Sequence, residues 1–506
     1  MTAVHTPPRA AAESAVPPPA GPAWRRIQSA PFWPGPAAGI LMLAVGLVRA
    51  TGPVLSWDEV TTADVARRTG AQIWALIQNV DAVFGPYYFF MHFWTSMVGD
   101  SVLELRLPSI IMMAAAVGVT AELGRRLFSP LTGFVAGLML CLLPNISRYA
   151  AEARPYAFAC FLSVLALLLL HRALEQPGVL RWTGYGLAVL GLGLSHIVAL
   201  ATLGAHAAVL AVHLRANRTW KVAAVWATAV AGALLLLAPL ALLGIRQQHQ
   251  QISWIAPLTW ETIRAAPADI AGTVETGWLI VGLALAATGR PARRHAEIAL
   301  LAAAPLIVVA LVSVLATPLW VARYLLFVLA PVTLLAAVAT VGRPGLRRPR
   351  RAVRVVAVLV VLAFAALPGL TAVRGDYVKN GSDYRGAASI IESGQRPGDG
   401  IVYMANSRAQ RAGIDYYLRG DAGRPRDLTL ERPAAQVASL TAQEYPDAVP
   451  RVTGASRVWL FVYGKHDDPT WARLDLRPLL HKGYQRAWLW HLSRATLALY
   501  VQRGPP

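Results

Sequence analysis

Two adjacent carboxylates, Asp58 and Glu59, follow the first strongly apolar segment of the chain in the run Ser56-Trp57-Asp58-Glu59. A carboxylate at a membrane boundary is costly unless it is solvated, paired or used in a reaction. The structural alternative is a solvated loop with an acidic helix start, in which Ser56 or Asp58 caps one amphipathic helix over residues 60–79. Composition alone favours this alternative, because helix caps are common.

Other residues able to do chemistry fall in segments that share the outer side with this acidic pair. They are Asp81, Tyr87, Glu152, Arg154, Tyr156, His196, Trp254, Arg323 and Tyr324. Taken alone, His196 is more often a packed polar residue, and Arg323 is more often an anchor at the interface. Glu152 and Arg154 are two residues apart and would not face each other on one helix, so at least one should point into a shared cavity. Acids, arginines and aromatics on one face indicate a site reached from outside.

The chemistry that suits this set is transfer from a lipid phosphate. No Gly-rich phosphate loop precedes a helix, and no spacing such as His-Glu-x-x-His occurs, so nucleotide use and zinc hydrolysis lack support. A carboxylate could accept the proton of an acceptor hydroxyl while arginines stabilise the phosphate that leaves. A phosphate leaving group needs no general acid, so one carboxylate suffices. We expect no required cofactor, although Asp58 and Asp81 leave a divalent cation open.

The rest of the sequence predicts a membrane bundle to position these groups. Of the 506 residues, 56% are hydrophobic and only 15% are charged, which points to the bilayer. Both cysteines, Cys141 and Cys160, lie in apolar stretches, which excludes a disulfide framework. Eleven segments are long enough to cross, centred near residues 42, 115, 137, 164, 188, 204, 232, 281, 305, 331 and 363.

Three regions follow from this pattern. Residues 1–30 are predicted to be a disordered cytosolic tail, residues 31–374 a transmembrane catalytic domain, and residues 375–506 a soluble domain. Basic residues concentrate in alternate connections, for example Arg125 with Arg126, which places the N-terminus in the cytosol and the C-terminal domain outside a bacterial-type plasma membrane. The net charge of +20 is then explained by orientation and by membrane lipids, without nucleic acid.

Several motifs, in this order along the chain, resemble those of the GT-C membrane glycosyltransferases. They are Asp58-Glu59, the segment Asp81 to Tyr88, Arg106-Leu-Pro, Gly124-Arg-Arg-Leu-Phe, Glu152-Ala-Arg-Pro-Tyr-Ala-Phe and Ala322-Arg-Tyr-Leu-Leu. The resemblance covers roughly residues 35–345. It is nearest to glycosyltransferase family 39, which includes protein O-mannosyltransferases, the aminoarabinose transferase of lipid A and bacterial mannosyltransferases. One departure is Phe84-Gly85-Pro86, where many relatives have His-Pro-Pro before the tyrosine.

The resemblance implies an inverting transferase that takes its sugar from a polyprenyl-phosphate donor. It assigns the general base to Asp58, and Glu59 would support that base or contact the acceptor. Asp81 matches the second acidic position of the family. The positions of Arg154, Tyr156, Arg323 and Tyr324 imply contact with the carrier phosphate, whereas His196 and Trp254 are looser matches.

The C-terminal region carries alternating patterns typical of a mixed α/β fold. Residues 400–404 and 458–463 are predicted to be strands, residues 384–392 and 409–418 helices, and residues 487–501 a terminal hairpin. Two roles remain open for this region. It could pack over the membrane site as a lid, or it could recognise the acceptor or a glycan.

The function predicted from the sequence is transfer of a sugar, with mannose favoured, to a lipid, glycan or protein hydroxyl on the outer side. The main alternative is a lipid or glycolipid flippase, which would also need many spans and buried charges. A transporter commonly shows repeated halves, and none is visible in the sequence. A third alternative, a membrane sensor with a ligand-binding C-terminal domain, would tolerate Asp58→Ala without loss.

Overall fold

A computed structural model describes residues 33–217, 220–288, 293–342 and 348–504. The predicted cytosolic tail, residues 1–30, lies outside the described residues. Up to Ala372 the described chain is helical, and strands begin at Gly400. The helices of this first part are α1 (Pro34–Leu47), α2 (Trp57–Ala66), α3 (Gly70–Asn79), α4 (Gly85–Val98), α5 (Val102–Leu127), α6 (Pro130–Leu142), α7 (Pro144–Ala150), α8 (Tyr156–Glu175), α9 (Val179–Ser195), α10 (Thr202–Asn217), α11 (Trp220–Gln251), α12 (Trp260–Ala271), α13 (Val274–Thr288), α14 (Arg293–Leu315), α15 (Leu329–Val341) and α16 (Arg348–Ala372).

Each of the eleven predicted crossing segments coincides with a helix, but fewer helices are long enough to span a bilayer. Within the described ranges, seven helical segments have the required length and composition, and the bent pairs α6–α7 and α12–α13 bring the number to nine at most. The other two segments are α1, with 14 residues, and α9, with 17 residues. At about 1.5 Å per residue these helices are shorter than the hydrocarbon core of about 30 Å. The predicted count of eleven therefore exceeds the seven to nine spans found.

The segment after α1 folds as two helices, so the prediction of one helix over residues 60–79 is wrong. Ser56 caps α2 as expected, since its side chain accepts from the Glu59 amide and the Glu59 carboxylate accepts from the Ser56 amide. Thr69 forms a second capping box with Gln72 and starts α3. A threonine followed three residues later by glutamine competes with helix continuation, because its side chain satisfies the free amides of a new helix start.

The C-terminal region is a five-stranded mixed sheet with helices, as the sequence predicts. Its strands run in the order β2-β1-β5-β7-β6, with β1 parallel to both neighbours and β7 antiparallel to β5 and β6. The elements are α17 (Tyr384–Gly394), β1 (Gly400–Tyr403), α18 (Arg408–Tyr417), β2 (Arg426–Asp427), β3 (Leu430–Arg432), β4 (Gln443–Glu444), α19 (Val449–Thr453), β5 (Arg457–Tyr463), α20 (Arg477–Gly483), β6 (Tyr484–Leu492) and β7 (Ala495–Gln502). Strands β6 and β7 form the expected terminal hairpin.

Backbone hydrogen bonds join the segment before α2 to the segment that follows α16. The Val54 amide donates to the Asp376 carbonyl at 2.9 Å, and the Trp57 amide donates to the Asn380 carbonyl at 2.8 Å. Gly381 completes this connection with φ +157, and a Cβ there would lie 3.1 Å from the Leu55 carbonyl oxygen. The start of α2 is therefore held between the helical bundle and the C-terminal region.

Candidate active site

Asp58 lies in the first turn of α2 with its side chain 29% exposed. Burial raises the pKa of Asp58, but the charges of Arg154, Arg323 and Arg408 lower it, and the resulting pKa lies below its usual value. The Arg408 Nη2 atom, from the first turn of α18, is 3.8 Å from Asp58 Oδ1. Asp58 is thus an accessible carboxylate that stays ionised at neutral pH and can accept a proton.

The neighbouring Glu59 is fully buried, and both of its oxygens are occupied. Arg106 donates to it from Nε at 2.8 Å and from Nη2 at 3.0 Å, and Lys379 Nζ lies 2.9 Å away. The Ser56 and Ala153 amides also donate to this carboxylate, at 2.9 and 3.1 Å. These contacts favour a supporting role over contact with an acceptor. Glu59 joins α2, the loop before α8 and the segment after α16 at a single carboxylate.

Arg154 lies next to the second acidic position. Its guanidinium carbon is 4.0 Å from the centre of the Phe84 ring, and its Nε is buried without a hydrogen-bond partner among the described residues. Asp81 occupies a left-handed backbone conformation with φ +57 and accepts a 2.8 Å hydrogen bond from the Tyr88 hydroxyl. Burial lowers the pKa of Arg154, but Asp58, Tyr156, Tyr88 and Asp81 raise it well above its usual value. Phe84, which stands where many relatives have histidine, therefore supports the Arg154 cation through its ring face.

Arg323 is held by aromatic residues from two other parts of the chain and by the adjacent Tyr324. Its Nε donates to the Tyr156 hydroxyl at 3.0 Å, and its guanidinium carbon lies 5.0 Å from the Trp254 ring and 5.5 Å from the Tyr324 ring. The His196 ring is 4.7 Å from the Tyr324 ring, and the buried His196 Nδ1 has no hydrogen-bond partner in the described part of the chain. This arrangement fixes a planar cation with donors left over for an anion.

Glu152 and Tyr87 lie beside this cluster and pack against its supports. Glu152 is buried, and its Oε2 is 3.8 Å from Arg148 Nε. Burial raises its pKa, Lys379 lowers it and Glu59 raises it, with a net rise. The Tyr87 ring is buried and meets the Phe158 ring edge-on at 5.8 Å.

The structure thus brings Asp58, Asp81, Arg154, Tyr156 and Arg323 into one cluster, as their shared outer side predicts. Two residues were not predicted, Lys379 beside Glu59 and Arg408 beside Asp58. Both come from the C-terminal region and approach acids that precede them by more than 300 residues. No local pattern marks either residue.

Among the residues that the structure describes, no group of three or more His, Cys, Asp or Glu side chains could hold a metal ion.

Comparison with known proteins bears on the fold. The profile of the family described as dolichyl-phosphate-mannose-protein mannosyltransferase matches residues 86–242, less than half of the chain. The crystal structure of ArnT from Cupriavidus metallidurans in the apo state superposes with a TM-score of 0.60 at 15% identity, covering 91% of this chain and 97% of ArnT. The chain has the GT-C fold.

Further solved structures extend this likeness. ArnT from Cupriavidus metallidurans bound to undecaprenyl phosphate matches with a TM-score of 0.59, again at 15% identity over 91% of this chain and 97% of ArnT. The arabinofuranosyltransferase AftD from Mycobacteria matches at 0.50 with 14% identity, covering 93% of this chain and 40% of AftD. Comparison with curated protein sequences gives no match. The family profile begins after Asp58 and Glu59, so it does not cover the acidic pair. The position of this pair is known from the structure and its contacts.

Proposed function

We propose that this GT-C protein is an inverting glycosyltransferase that moves a sugar from a polyprenyl-phosphate carrier to an acceptor hydroxyl, with Asp58 as general base. The observation that supports it most is the partly exposed Asp58 carboxylate among the guanidinium groups of Arg154, Arg323 and Arg408. A base beside cations fits a reaction in which a proton is removed on one side and a phosphate leaves on the other.

In the proposed step, the acceptor oxygen attacks the anomeric carbon while its proton moves to an Asp58 oxygen. The bond between the anomeric carbon and the phosphate oxygen breaks, and its electron pair leaves with the polyprenyl phosphate. Arg154 and Arg323 stabilise the charge that develops on that phosphate. Attack from the face opposite the leaving group inverts the anomeric configuration.

The surrounding residues position these three groups. Tyr156 and Trp254 orient the Arg323 guanidinium, and Phe84 lies against Arg154. Glu59 fixes the start of α2 and so the direction of Asp58. Charged groups held in place before the reaction contribute more to rate than groups that must reorganise.

Similar proteins support the choice of carrier and sugar in this proposal. A polyprenyl-phosphate carrier is supported by the ArnT structure with undecaprenyl phosphate. Mannose is supported by the description of the matching family. The alternation of basic residues supports an extracytoplasmic site in a multi-pass plasma-membrane protein. The acceptor is a lipid, glycan or protein hydroxyl.

The test is transfer of radiolabelled mannose from polyprenyl-phosphate mannose in membranes containing wild-type protein, Asp58→Asn or Asp64→Asn. Asp64 is the matched control because it lies on the same helix, is 40% exposed and pairs with Arg68. Wild type and Asp64→Asn should label a product, and Asp58→Asn should not. Equal labelling by all three proteins would remove Asp58 as base. A chelator arm tests the divalent cation.

The flippase alternative makes the opposite prediction. A flippase would transfer no sugar but would move labelled carrier lipid across the bilayer of vesicles that contain the protein. If that is observed, and Asp58→Asn leaves the rate of lipid movement unchanged, the transferase proposal is wrong.

A further inference from the structure

The end of the C-terminal sheet carries an open cavity of about 620 Å³ lined by three arginines, Arg396, Arg457 and Arg503. No acidic residue of the described chain lines it. The Arg457 Nη2 donates to the Gly394 carbonyl at 2.8 Å, and its Nε is 3.6 Å from Asp399. Its Nη1 is buried and has no hydrogen-bond partner among the described residues. A buried cationic donor without a partner is costly, and an anion in the cavity would satisfy it.

A row of tryptophans lies on the same face of the sheet. Arg457 of β5 pairs with Val501 of β7, which in turn pairs with Gln485 of β6. Two residues further along β5, Trp459 pairs with Leu499 of β7, which pairs with Trp488 of β6. Residues paired across neighbouring strands share a face. The Trp459 and Trp490 rings stack at 5.8 Å, and the Trp490 and Trp488 rings stack at 6.2 Å. Trp488 is 64% exposed at the edge strand. Trp459 is only 1% exposed and Trp490 is half-buried, so Trp488 is the ring of this row that can lie against the apolar face of a sugar.

This face leads from the cavity towards Asp58. Tyr463 ends β5 on the same face as Arg457, six residues away, which is about 20 Å in a strand. The Tyr463 ring meets the Trp57 ring edge-on at 5.2 Å, and Trp57 precedes Asp58. The arginine cavity is therefore at the end of β5 that points away from α2 and the helical bundle. That position disfavours contact with lipid head groups and favours a soluble ligand.

Resting on the proposed function, we infer that Arg396, Arg457, Arg503 and Trp488 bind an acidic glycan, and that this glycan is the acceptor or carries it. The cavity takes the carboxylate or phosphate group, and the exposed Trp488 ring takes an adjoining sugar ring. The acceptor chain would then lie along the β6 edge with one hydroxyl able to reach Asp58.

The test is calorimetric titration of the full chain in detergent with three probes. Tetragalacturonate carries carboxylates, pentamannose 6-phosphate carries a phosphate, and cellotetraose is neutral. At least one acidic probe should bind, more weakly at high salt, and cellotetraose should bind at least tenfold more weakly. The acidic probe that binds more tightly identifies the anionic group.

Trp488→Ala and Arg503→Gln should each weaken binding of the acidic probe about tenfold, since one charge-assisted hydrogen bond or one stacked ring contributes about that much. Both side chains are exposed, so the variants should fold. The matched controls are Arg486→Gln and Trp471→Ala. Arg486 pairs with Tyr500 on the opposite face, and Trp471 is 41% exposed beside His466. The controls should bind like wild type.

Equal binding by all variants, or equal binding of cellotetraose, would overturn the inference. The inference would also fail if the protein bound phosphatidylglycerol vesicles but none of the glycan probes, and if Trp488→Ala weakened that vesicle binding. The face would then dock to a membrane. Asp58→Asn should bind the acidic probe normally. Binding without any transfer by wild type would refute the proposed transferase but not this site.

Discussion

Replacing Glu59 by glutamine should lower the free energy of unfolding, whereas Asp58→Asn at the adjacent position should leave it nearly unchanged. Glutamine keeps the shape of Glu59 but removes its charge, leaving Arg106 and Lys379 without an anionic partner. The Arg106 side chain is 0% exposed and the Lys379 side chain is 3% exposed, so water cannot replace the carboxylate. Asp58 is partly exposed, and its nearest ion pair with Arg408 is long at 3.8 Å.

The magnitude follows from the burial of the pair. Removing one partner of a buried ion pair costs about 3–5 kcal/mol in the free energy of unfolding. Burial raises the pKa of Glu59, but Arg106 and Lys379 bring it well below its usual value, so we expect the carboxylate to be ionised in the folded protein. Adding Lys379→Met to Glu59→Gln removes one unpaired cation, and should recover about 1–3 kcal/mol.

The assay is a denaturant titration of the purified protein in mild detergent, followed by near-ultraviolet circular dichroism. Transfer rates are measured at a temperature where every variant is folded. Glu59→Gln should lose stability and retain part of its transfer activity. Asp58→Asn should keep its stability and lose its transfer activity. If Glu59→Gln matches wild type within about 0.5 kcal/mol yet is as inactive as Asp58→Asn, Glu59 takes part in the chemistry and the reasoning is wrong.

Three further outcomes are expected. Arg323→Lys should lower kcat for transfer by about 10²-fold with little change in KM. The reason is that lysine cannot keep both the hydrogen bond to Tyr156 and a planar pair of donors to the phosphate. An unchanged kcat in steady-state kinetics would contradict this. Arg408→Gln should reduce transfer less than tenfold, since its pair with Asp58 is partly exposed; a loss as large as that of Asp58→Asn would give Arg408 a direct role. Burial lowers the pKa of Lys379 to about 8 from 10.5, so the folded protein binds fewer protons than the unfolded chain between these values. The stability of wild type minus that of Lys379→Met should therefore rise with pH across this window, by at most about 1.4 kcal/mol per pKa unit, and a flat or falling difference in denaturant titrations would refute the shift.

Much of the cluster around Asp58 could be predicted from sequence because its members occupy the same side of successive spans. The alternation of basic residues predicts that side, and Arg154 and Arg323 lie in segments assigned to it. The strands of the C-terminal sheet are similarly marked by local apolar runs, as at Arg457–Tyr463. These features depend on short-range patterns.

The remaining features depend on contacts that short-range patterns do not contain. Lys379 and Arg408 reach the acidic pair only when the C-terminal region packs on α2. The break between α2 and α3 depends on the capping of Thr69 competing with continuation of the helix. The predicted count of eleven exceeds the seven to nine spans in the described residues because hydropathy records apolar character, whereas the described helices α1 and α9 have only 14 and 17 residues.

The contact between Lys379 and Glu59 has a consequence for how the protein is made. The two residues are 320 positions apart, and ribosomes add about 5–20 residues per second. Glu59 therefore leaves the ribosome about 16–64 s before its second cation exists. During that interval only Arg106 and backbone amides can neutralise it. Helix α2 can reach its final set of contacts only after the last predicted membrane segment has been synthesised. A chain arrested before residue 379 would carry Asp58, Arg154 and Arg323, but its Glu59 would lack one of its two cations.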